Sequence, residues 1–177
     1  MRLLFESNLL IDRDQLLIQA VSEGRRLDVI RNILLEYAAD CQDGQALVTA
    51  AMYGHLDVVH LLLEWPEYAP RADCRDGETL VTAAMYGHLD VVHLLLEWPE
   101  YAPRADCRDG ETLVTAAMYG HLDVVHLLLE WPEHAPRADC QYGEALFSAI
   151  ELGHPDVKGV TWMWSACSSS GQNTRLE

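Results

Sequence analysis

The strongest constraint on the fold is a 33-residue unit that repeats along the chain without insertions. Residues 73–105 and 106–138 are the same string, except that His134 replaces Tyr101. Residues 40–72 differ from the first of these strings at only three positions, Gln42, Gln45 and Ala46. A repeat of this length indicates a stack of supersecondary units, because each unit buries its apolar face against its neighbours.

Two diverged copies flank these units. One lies within residues 15–37, and the other opens at Asp139 and keeps the pattern as far as Val157. Beyond Val157 the Leu-Leu-Leu run of the other copies is missing. We therefore predict a chain in four parts: a diverged capping repeat (1–39), three near-identical repeats (40–138), a truncated repeat (139–160) and a disordered tail (161–177). One hypothesis is that Trp162 and Trp164 cover the open end of the stack. We favour the alternative, in which they belong to a tail made by truncation or a frameshift.

Each unit is predicted to form two helices and a connector. Residues 79–86 are rich in Ala and end at Gly87, a residue typical of a left-handed helix C-cap. Residues 89–98 form the second helix, which Pro99 ends. This helix has one polar stripe and is otherwise Leu and Val, so it needs burial on several sides. We predict an all-α, helical-repeat solenoid of stacked antiparallel helix pairs with extended connectors that contain proline.

The 33-residue period and the run GHLDVVHLLLE, present three times, resemble ankyrin repeats. The resemblance covers residues 13–157 and implies a non-catalytic module that binds another protein through the concave face of the stack. Two departures stand out. The family's Thr-Pro-Leu-His is Glu78-Thr79-Leu80-Val81 here, and the connector lacks the family's Gly-Ala-Asp-x-Asn. The second departure puts the usual β-hairpin finger in question, but not the helix stack.

The Met-Tyr pair at the end of each first helix is the candidate contact surface. In ankyrin-like stacks, partner-contacting residues line the concave groove at this place. Met adapts its shape and Tyr supplies a large amphipathic area, while Gln and Arg flank the pairs. The candidate residues are Met52, Tyr53, Met85, Tyr86, Met118, Tyr119, Gln42, Arg75 and Arg108. The alternative is that these side chains, Met above all, only pack between repeats. Glu151-Leu152 would end the row in the fourth copy.

An excess of acidic residues limits the class of partner. The chain has 28 Asp and Glu against 12 Lys and Arg, and its formal charge is -16. Phosphate backbones and anionic lipids repel such a chain, so we expect neither a nucleic-acid nor a membrane partner. We expect a monomer that binds a protein with a basic contact surface. No apolar run approaches the ~20 residues that span a bilayer, and no targeting segment is visible, so we expect an intracellular, cytoplasmic protein.

Cysteines recur at the repeat period, which raises the hypotheses of a disulfide or a metal site. Equivalent positions in stacked helical repeats lie roughly 8–10 Å apart, too far for a disulfide or for one zinc ion. We predict free thiols at Cys41, Cys74, Cys107, Cys140 and Cys167. No phosphate-binding loop, nucleophile elbow or activated Cys-His pair is visible, so we predict no enzyme activity and no cofactor.

Histidine and tryptophan also recur. The His that follows each C-cap Gly is predicted to cap and pack locally, and Trp65, Trp98 and Trp131 are predicted to pack the connector onto the second helix. Asp90, His93 and Glu97 share one face of the second helix, where a solvated acidic face is a better interpretation than a metal site. A second functional hypothesis is a fragment or recent repeat expansion with no dedicated partner, because the copies are nearly identical.

Overall fold

The computed structural model describes residues 13–36, 43–66, 69–136 and 140–157, and the regular secondary structure in these ranges is helical throughout. The helices of these ranges are α1 (Arg13–Ser22), α2 (Leu27–Glu36), α3 (Gln45–Met52), α4 (Leu56–Leu63), α5 (Cys74–Met85), α6 (Leu89–Leu96), α7 (Cys107–Met118), α8 (Leu122–Glu130) and α9 (Cys140–Glu151). None of them is long and apolar enough to cross a bilayer.

Consecutive helices pair as hairpins, and the hairpins stack. α1 pairs with α2, α3 with α4, α5 with α6, and α7 with α8. The first helices of the pairs (α1, α3, α5, α7 and then α9) pack against each other in chain order, while α4, α6 and α8 form a second layer. The predicted all-α stack of helical repeats is therefore confirmed.

The core is one leucine layer that runs through the stack. Each central hairpin buries a Leu of its first helix and a Leu of its second helix completely, for example Leu80 and Leu95. The remaining buried positions of the first helices are mostly small, such as Ala83 and Ala84, which are fully buried. Small side chains at a contact bring helices closer. In keeping with this, the first helices approach each other more closely than the second helices do.

The second helices end two or three residues before the proline. α6 ends at Leu96 and Glu97 caps it, so the predicted end at Trp98 is wrong. The reason is steric, because a residue that precedes proline is disfavoured in the helical region. Trp131, which precedes Pro132, accordingly has extended dihedrals of φ −61° and ψ 129°.

The first helices open with a left-handed turn that the sequence did not predict. Within α5, Arg75, Asp76 and Gly77 have φ values of 53°, 56° and 75°, so the regular helix begins at Glu78. The same turn opens α7. A left-handed conformation costs a residue other than glycine about 1–2 kcal/mol, so two such residues per turn need compensation elsewhere.

The connectors contain no strand in the described residues, so the β-hairpin finger that the sequence put in question is absent there. The connector after α6 is held by two hydrogen bonds, in which Arg104 donates to the Asp106 carboxylate at 2.8 Å each. In the preceding connector Arg71 donates to Asp73 in the same way, and its guanidinium lies 4.2 Å from the centre of the Tyr101 ring.

Several predictions concern residues outside the described ranges. These are the tail over 161–177 with Trp162 and Trp164, and the repeat boundaries at 39/40, 138/139 and 160/161. The four-part division of the chain therefore stays a prediction.

Candidate partner-binding surface

Each first helix of the central repeats ends in a capping motif that presents a tyrosine. After α5, the His88 N–H donates to the Ala83 carbonyl at 3.0 Å and the Gly87 N–H donates to the Ala84 carbonyl at 3.2 Å. Gly87 has a φ of +72°. These two bonds with a left-handed glycine form a Schellman motif, which fixes Tyr86 at the C-cap.

The three capping tyrosines, Tyr53, Tyr86 and Tyr119, form a row that we call the tyrosine ladder. Their exposed fractions are 49%, 49% and 50%, and their φ values agree within a few degrees. The methionines that precede them, Met52, Met85 and Met118, are half-buried. The ladder therefore consists of three equivalent half-exposed aromatic rungs, and each methionine lies beside its tyrosine at the end of the helix.

Histidines support the first two rungs, and histidines beside the second and third rungs join them to the repeat before. The Tyr86 ring stacks on His88 with 6.4 Å between ring centres, and Tyr53 stacks on His55 in the same manner. His88 Nε2 lies 3.0 Å from the Met52 carbonyl oxygen. Because a carbonyl only accepts, Nε2 carries the proton and donates. The rungs are thus linked by hydrogen bonds from one repeat to the next.

The His ring lies directly against the C-cap glycine of the preceding repeat. A Cβ added to Gly54 would stand 2.5 Å from His88 Nδ1, and one added to Gly87 would stand 2.4 Å from His121 Nδ1. His88 and His121 occupy the N-cap positions of α6 and α8 but make no side-chain capping bond. The predicted local capping role is therefore wrong, whereas His88 does pack locally, because its ring stacks on Tyr86. Each ring also contacts the preceding repeat.

The two candidate arginines are engaged within the stack. Arg75 donates to the Asp43 carbonyl at 3.1 Å and to Gln45 Oε1 at 2.7 Å. Arg108 donates to the carbonyls of Asp76 at 3.0 Å and Arg75 at 2.7 Å. These bonds satisfy the carbonyls of the left-handed turn, which is the compensation that its backbone strain requires.

The remaining candidates are placed as follows. Gln42 lies outside the described residues, as does the side chain of its counterpart Gln141. In the fourth copy Glu151 and Leu152 occupy the places of Met118 and Tyr119, and both are exposed. The row of tyrosines therefore has three rungs, as the sequence indicates.

The outer face of the stack carries histidine–glutamate pairs. His60 and His93 each place Nδ1 3.0 Å from a carboxylate oxygen of the Glu four residues later. The Trp of the next repeat meets each ring edge to face, and the ring centres of His60 and Trp98 are 5.6 Å apart. Trp98 therefore contacts a neighbouring repeat as well as packing against the core, which goes beyond its predicted role in the connector. The described residues contain no cluster of three or more His, Cys, Asp or Glu side chains suited to a metal ion.

The structure describes two cysteine side chains, a buried Cys74 and a half-buried Cys107, and no disulfide joins them to each other. Burial raises the pKa of Cys107, and its Sγ lies 3.6 Å from Thr112 Oγ1. A raised pKa reduces the thiolate fraction, so this thiol lacks the activation that a nucleophile needs. The side chain of Cys140, and Cys41 and Cys167, lie outside the described residues.

Sequence reasoning missed that the recurring His, Arg and Trp side chains bind the neighbouring repeat. One signal was available, because each recurs at the same place in successive units. This recurrence does not show which repeat the side chain contacts, because a residue that repeats every 33 positions can pack within its own unit or onto the next one.

One comparison with known proteins identifies the repeat. A family model described as ankyrin repeats (3 copies) matches residues 17–107 and, in a second match, residues 80–172. No curated protein matches the chain.

Proposed function

Because the chain belongs to the ankyrin repeat family, whose members generally mediate protein–protein interaction and are generally not catalytic, we propose that it binds a partner protein through the tyrosine ladder on its concave face. The observation that carries this proposal is the set of three equivalent rungs, half-exposed and locked in place by hydrogen bonds between repeats.

The packing of the helices supports the choice of face. The first helices lie closer together than the second helices, so the stack curves toward the layer of first helices. The tyrosine ladder lies at the C-terminal ends of these helices. We propose that it faces the inner side of that curve. A partner that enters the concave side therefore meets all three rungs.

The chemistry of the rungs suits recognition. Tyrosine is enriched among residues that dominate binding energy, because it buries a large area at a low cost in side-chain entropy. Beside the rungs lie Met52, Met85 and Met118, whose flexible side chains can adapt to the shape of the partner. We assign Arg75 and Arg108 to joining successive first helices, because their guanidinium groups hold the turns at the start of these helices.

The charge distribution supports a basic partner. Between Glu78 and Pro103, one repeat carries four acidic residues and no Lys or Arg. The negative electrostatic field of these residues steers a basic partner toward the chain. This steering raises the association rate and weakens with added salt. We propose a monomer that works in the cytoplasm, where a thiol such as that of Cys107 stays reduced.

Affinity capture with three forms of the chain tests the proposal. The forms are the native chain, a triple Tyr→Ala variant of the tyrosine ladder, and a matched triple Glu→Gln variant of the exposed outer residues Glu64, Glu97 and Glu130. We expect a partner that the native chain and the outer-face variant bind and the ladder variant loses. The purified partner should lose at least about tenfold in affinity, the size of one hot-spot residue.

The opposite pattern would contradict the proposed face. A partner that the outer-face variant loses and the ladder variant keeps places the contact on the second helices. Absence of any ladder-dependent partner favours the second hypothesis, a recent repeat expansion without a dedicated partner. That hypothesis rests on residues 73–105 and 106–138, which differ at one position. Far-UV circular dichroism of both variants checks that the helices remain.

A further inference from the structure

The rungs of the tyrosine ladder occupy equivalent places in successive repeats. Their cap dihedrals and exposures agree, and their repeats are nearly identical in sequence. Packed helices lie about 8–10 Å apart, and small contact residues favour the lower part of that range. The first helices bury alanine pairs, such as Ala83 and Ala84. We therefore expect neighbouring rungs to be separated by about the helix packing distance, roughly 8–10 Å.

This spacing discriminates among the backbones that a partner segment offers. A polyproline II helix has three residues per turn and a rise of 3.1 Å, so every third residue faces the same side at about 9.3 Å. In a strand, residues three apart point to opposite faces. In an α-helix the nearest equivalent repeat is seven residues, or about 10.5 Å, which lies above the expected range of about 8–10 Å.

The surface chemistry agrees with that backbone. Proline-rich segments dock on exposed aromatic rings, and their preformed backbone loses little entropy on binding. The stacking of Tyr86 on His88 orients that ring. Four residues after each tyrosine an exposed aspartate opens the second helix, as Asp90 does after Tyr86. Arg75 lies at the opposite end of the first helix, about 12 Å away along eight helical residues. The tyrosine ladder is therefore flanked by acidic side chains.

We propose that the tyrosine ladder binds a proline-rich, basic segment of the partner in the polyproline II conformation. Every third residue of the segment packs on one tyrosine, and three rungs read seven residues. Arginine or lysine residues of the segment lie beside Asp57, Asp90 and Asp123. The inference rests on the proposed function and names the class of segment that the same surface accepts.

Fluorescence anisotropy with labelled peptides tests the inference on the full chain. The first peptide is Pro-Pro-Arg repeated four times. The second has the same composition with its arginines gathered in adjacent pairs, and the third is Gly-Ser-Arg repeated four times. We expect the first to bind at least tenfold more tightly than the other two. Equal affinity for all three peptides, or no binding of the first, overturns the inference.

Single variants assign the binding to the rungs. Tyr86→Ala should lower the affinity for the first peptide at least tenfold, while Tyr86→Phe should stay within threefold, because the ring and not the hydroxyl makes the contact. The matched control is Tyr101→Ala, an exposed connector tyrosine. It should change the affinity less than twofold. A loss in Tyr101→Ala equal to that in Tyr86→Ala places the peptide elsewhere and overturns the inference.

A selection from a random twelve-residue peptide library separates this inference from the proposed function. Selected peptides that bind only when the tyrosine ladder is intact, and that carry prolines at intervals of three, support both the polyproline inference and the proposed function. Peptides that need the ladder but lack this pattern overturn the polyproline inference and leave the proposed function standing. A library that gives no ladder-dependent peptide, together with no ladder-dependent partner in the capture experiment, contradicts both.

Discussion

Gly120 and Gly153 occupy the same place in successive repeats, and both have a φ of +78°. A Cβ at Gly120 would stand 2.5 Å from His154 Nδ1, whereas a Cβ at Gly153 would meet no atom of the described residues within 4 Å. The two glycines therefore have the same local conformation. They differ in that, among the described residues, only Gly120 is covered by a side chain of the following repeat. The capping glycine therefore serves two separate purposes, a left-handed turn and a close approach of the next repeat.

The apolar positions of the first helices show the same difference. Val114 and Ala117 of α7 are 7% and 0% exposed, but their counterparts Phe147 and Ile150 of α9 are 53% and 49% exposed. Ala116 and its counterpart Ala149 are both buried. One set of side chains is thus buried in α9 without a following repeat among the described residues, and a second set depends on the neighbour that follows.

Hydrogen exchange should give the largest contrast between the two regions. We expect amides of α9 to exchange at least about a thousandfold faster than those of α7 and α8, because the last copy lacks three leucines worth about 1.5–3 kcal/mol each. Mass spectrometry of exchanged peptides measures this. Equal protection of the two regions would mean that the segment after Val157, with Trp162 and Trp164, covers α9.

Truncation of a buried and an exposed side chain should give the next largest effect. Leu95→Ala removes a fully buried side chain, so the free energy of unfolding should fall by about 2–5 kcal/mol. The matched end variant Phe147→Ala should change it by less than about 0.5 kcal/mol. Urea unfolding followed by circular dichroism compares the two variants. A comparable loss in Phe147→Ala would show that this ring is buried in solution.

Alanine substitutions at the capping glycines Gly87 and Gly153 should destabilise the protein to different extents. Gly153→Ala adds only the strain of a left-handed alanine, about 1–2 kcal/mol. Gly87→Ala adds the same strain and an overlap with the ring of His121, so it should be clearly more destabilising. Removal of the ring in the double variant Gly87→Ala/His121→Ala tests this, because the two substitutions should then cost less than the sum of their separate effects. Thermal unfolding of the single and double variants measures the difference.

The smallest expected effect is a change in the pH dependence of stability, which arises from Asp106 in a connector of the stack. Hydrogen bonds from Arg104 lower the pKa of Asp106 below its ordinary value of 3.8. An acid with a lowered folded pKa adds stability above its unfolded pKa and loses it as the pH falls through the folded pKa. Arg104→Gln should therefore raise the pKa of Asp106 and reduce the fall in stability below about pH 4.

Carbon-detected NMR titration of the side-chain carboxylates follows this change. Glu23 near the N-terminal end, whose pKa is lowered by its hydrogen bond to Gln19 and then by Arg25, serves as the control and should titrate as before. A pKa for Asp106 that does not move in Arg104→Gln would assign its lowering to other groups.

Much of the architecture follows from local rules that the sequence displays. The period sets the number of units, the apolar pattern sets two helices per unit, and glycine and proline set where the helices stop. The Schellman motif at Tyr86-Gly87-His88 needs only one turn of chain, so its half-exposed tyrosine was predictable. The end of the second helix was misplaced by two residues, because the steric effect of Pro99 reaches back to Trp98.

The contacts between repeats were decided by the tertiary structure. His88 binds the Met52 carbonyl and Arg108 binds the Arg75 carbonyl, across separations of 36 and 33 residues. Such contacts depend on the rotation and translation that relate two units, which close packing of the alanine-lined first helices determines. The left-handed turn of Arg75 to Gly77 also gains from that setting, because Arg108 of the next repeat donates to the carbonyls of Arg75 and Asp76. The sequence specifies what each repeat is, and the packing of repeats determines which side chains remain on the surface for a partner.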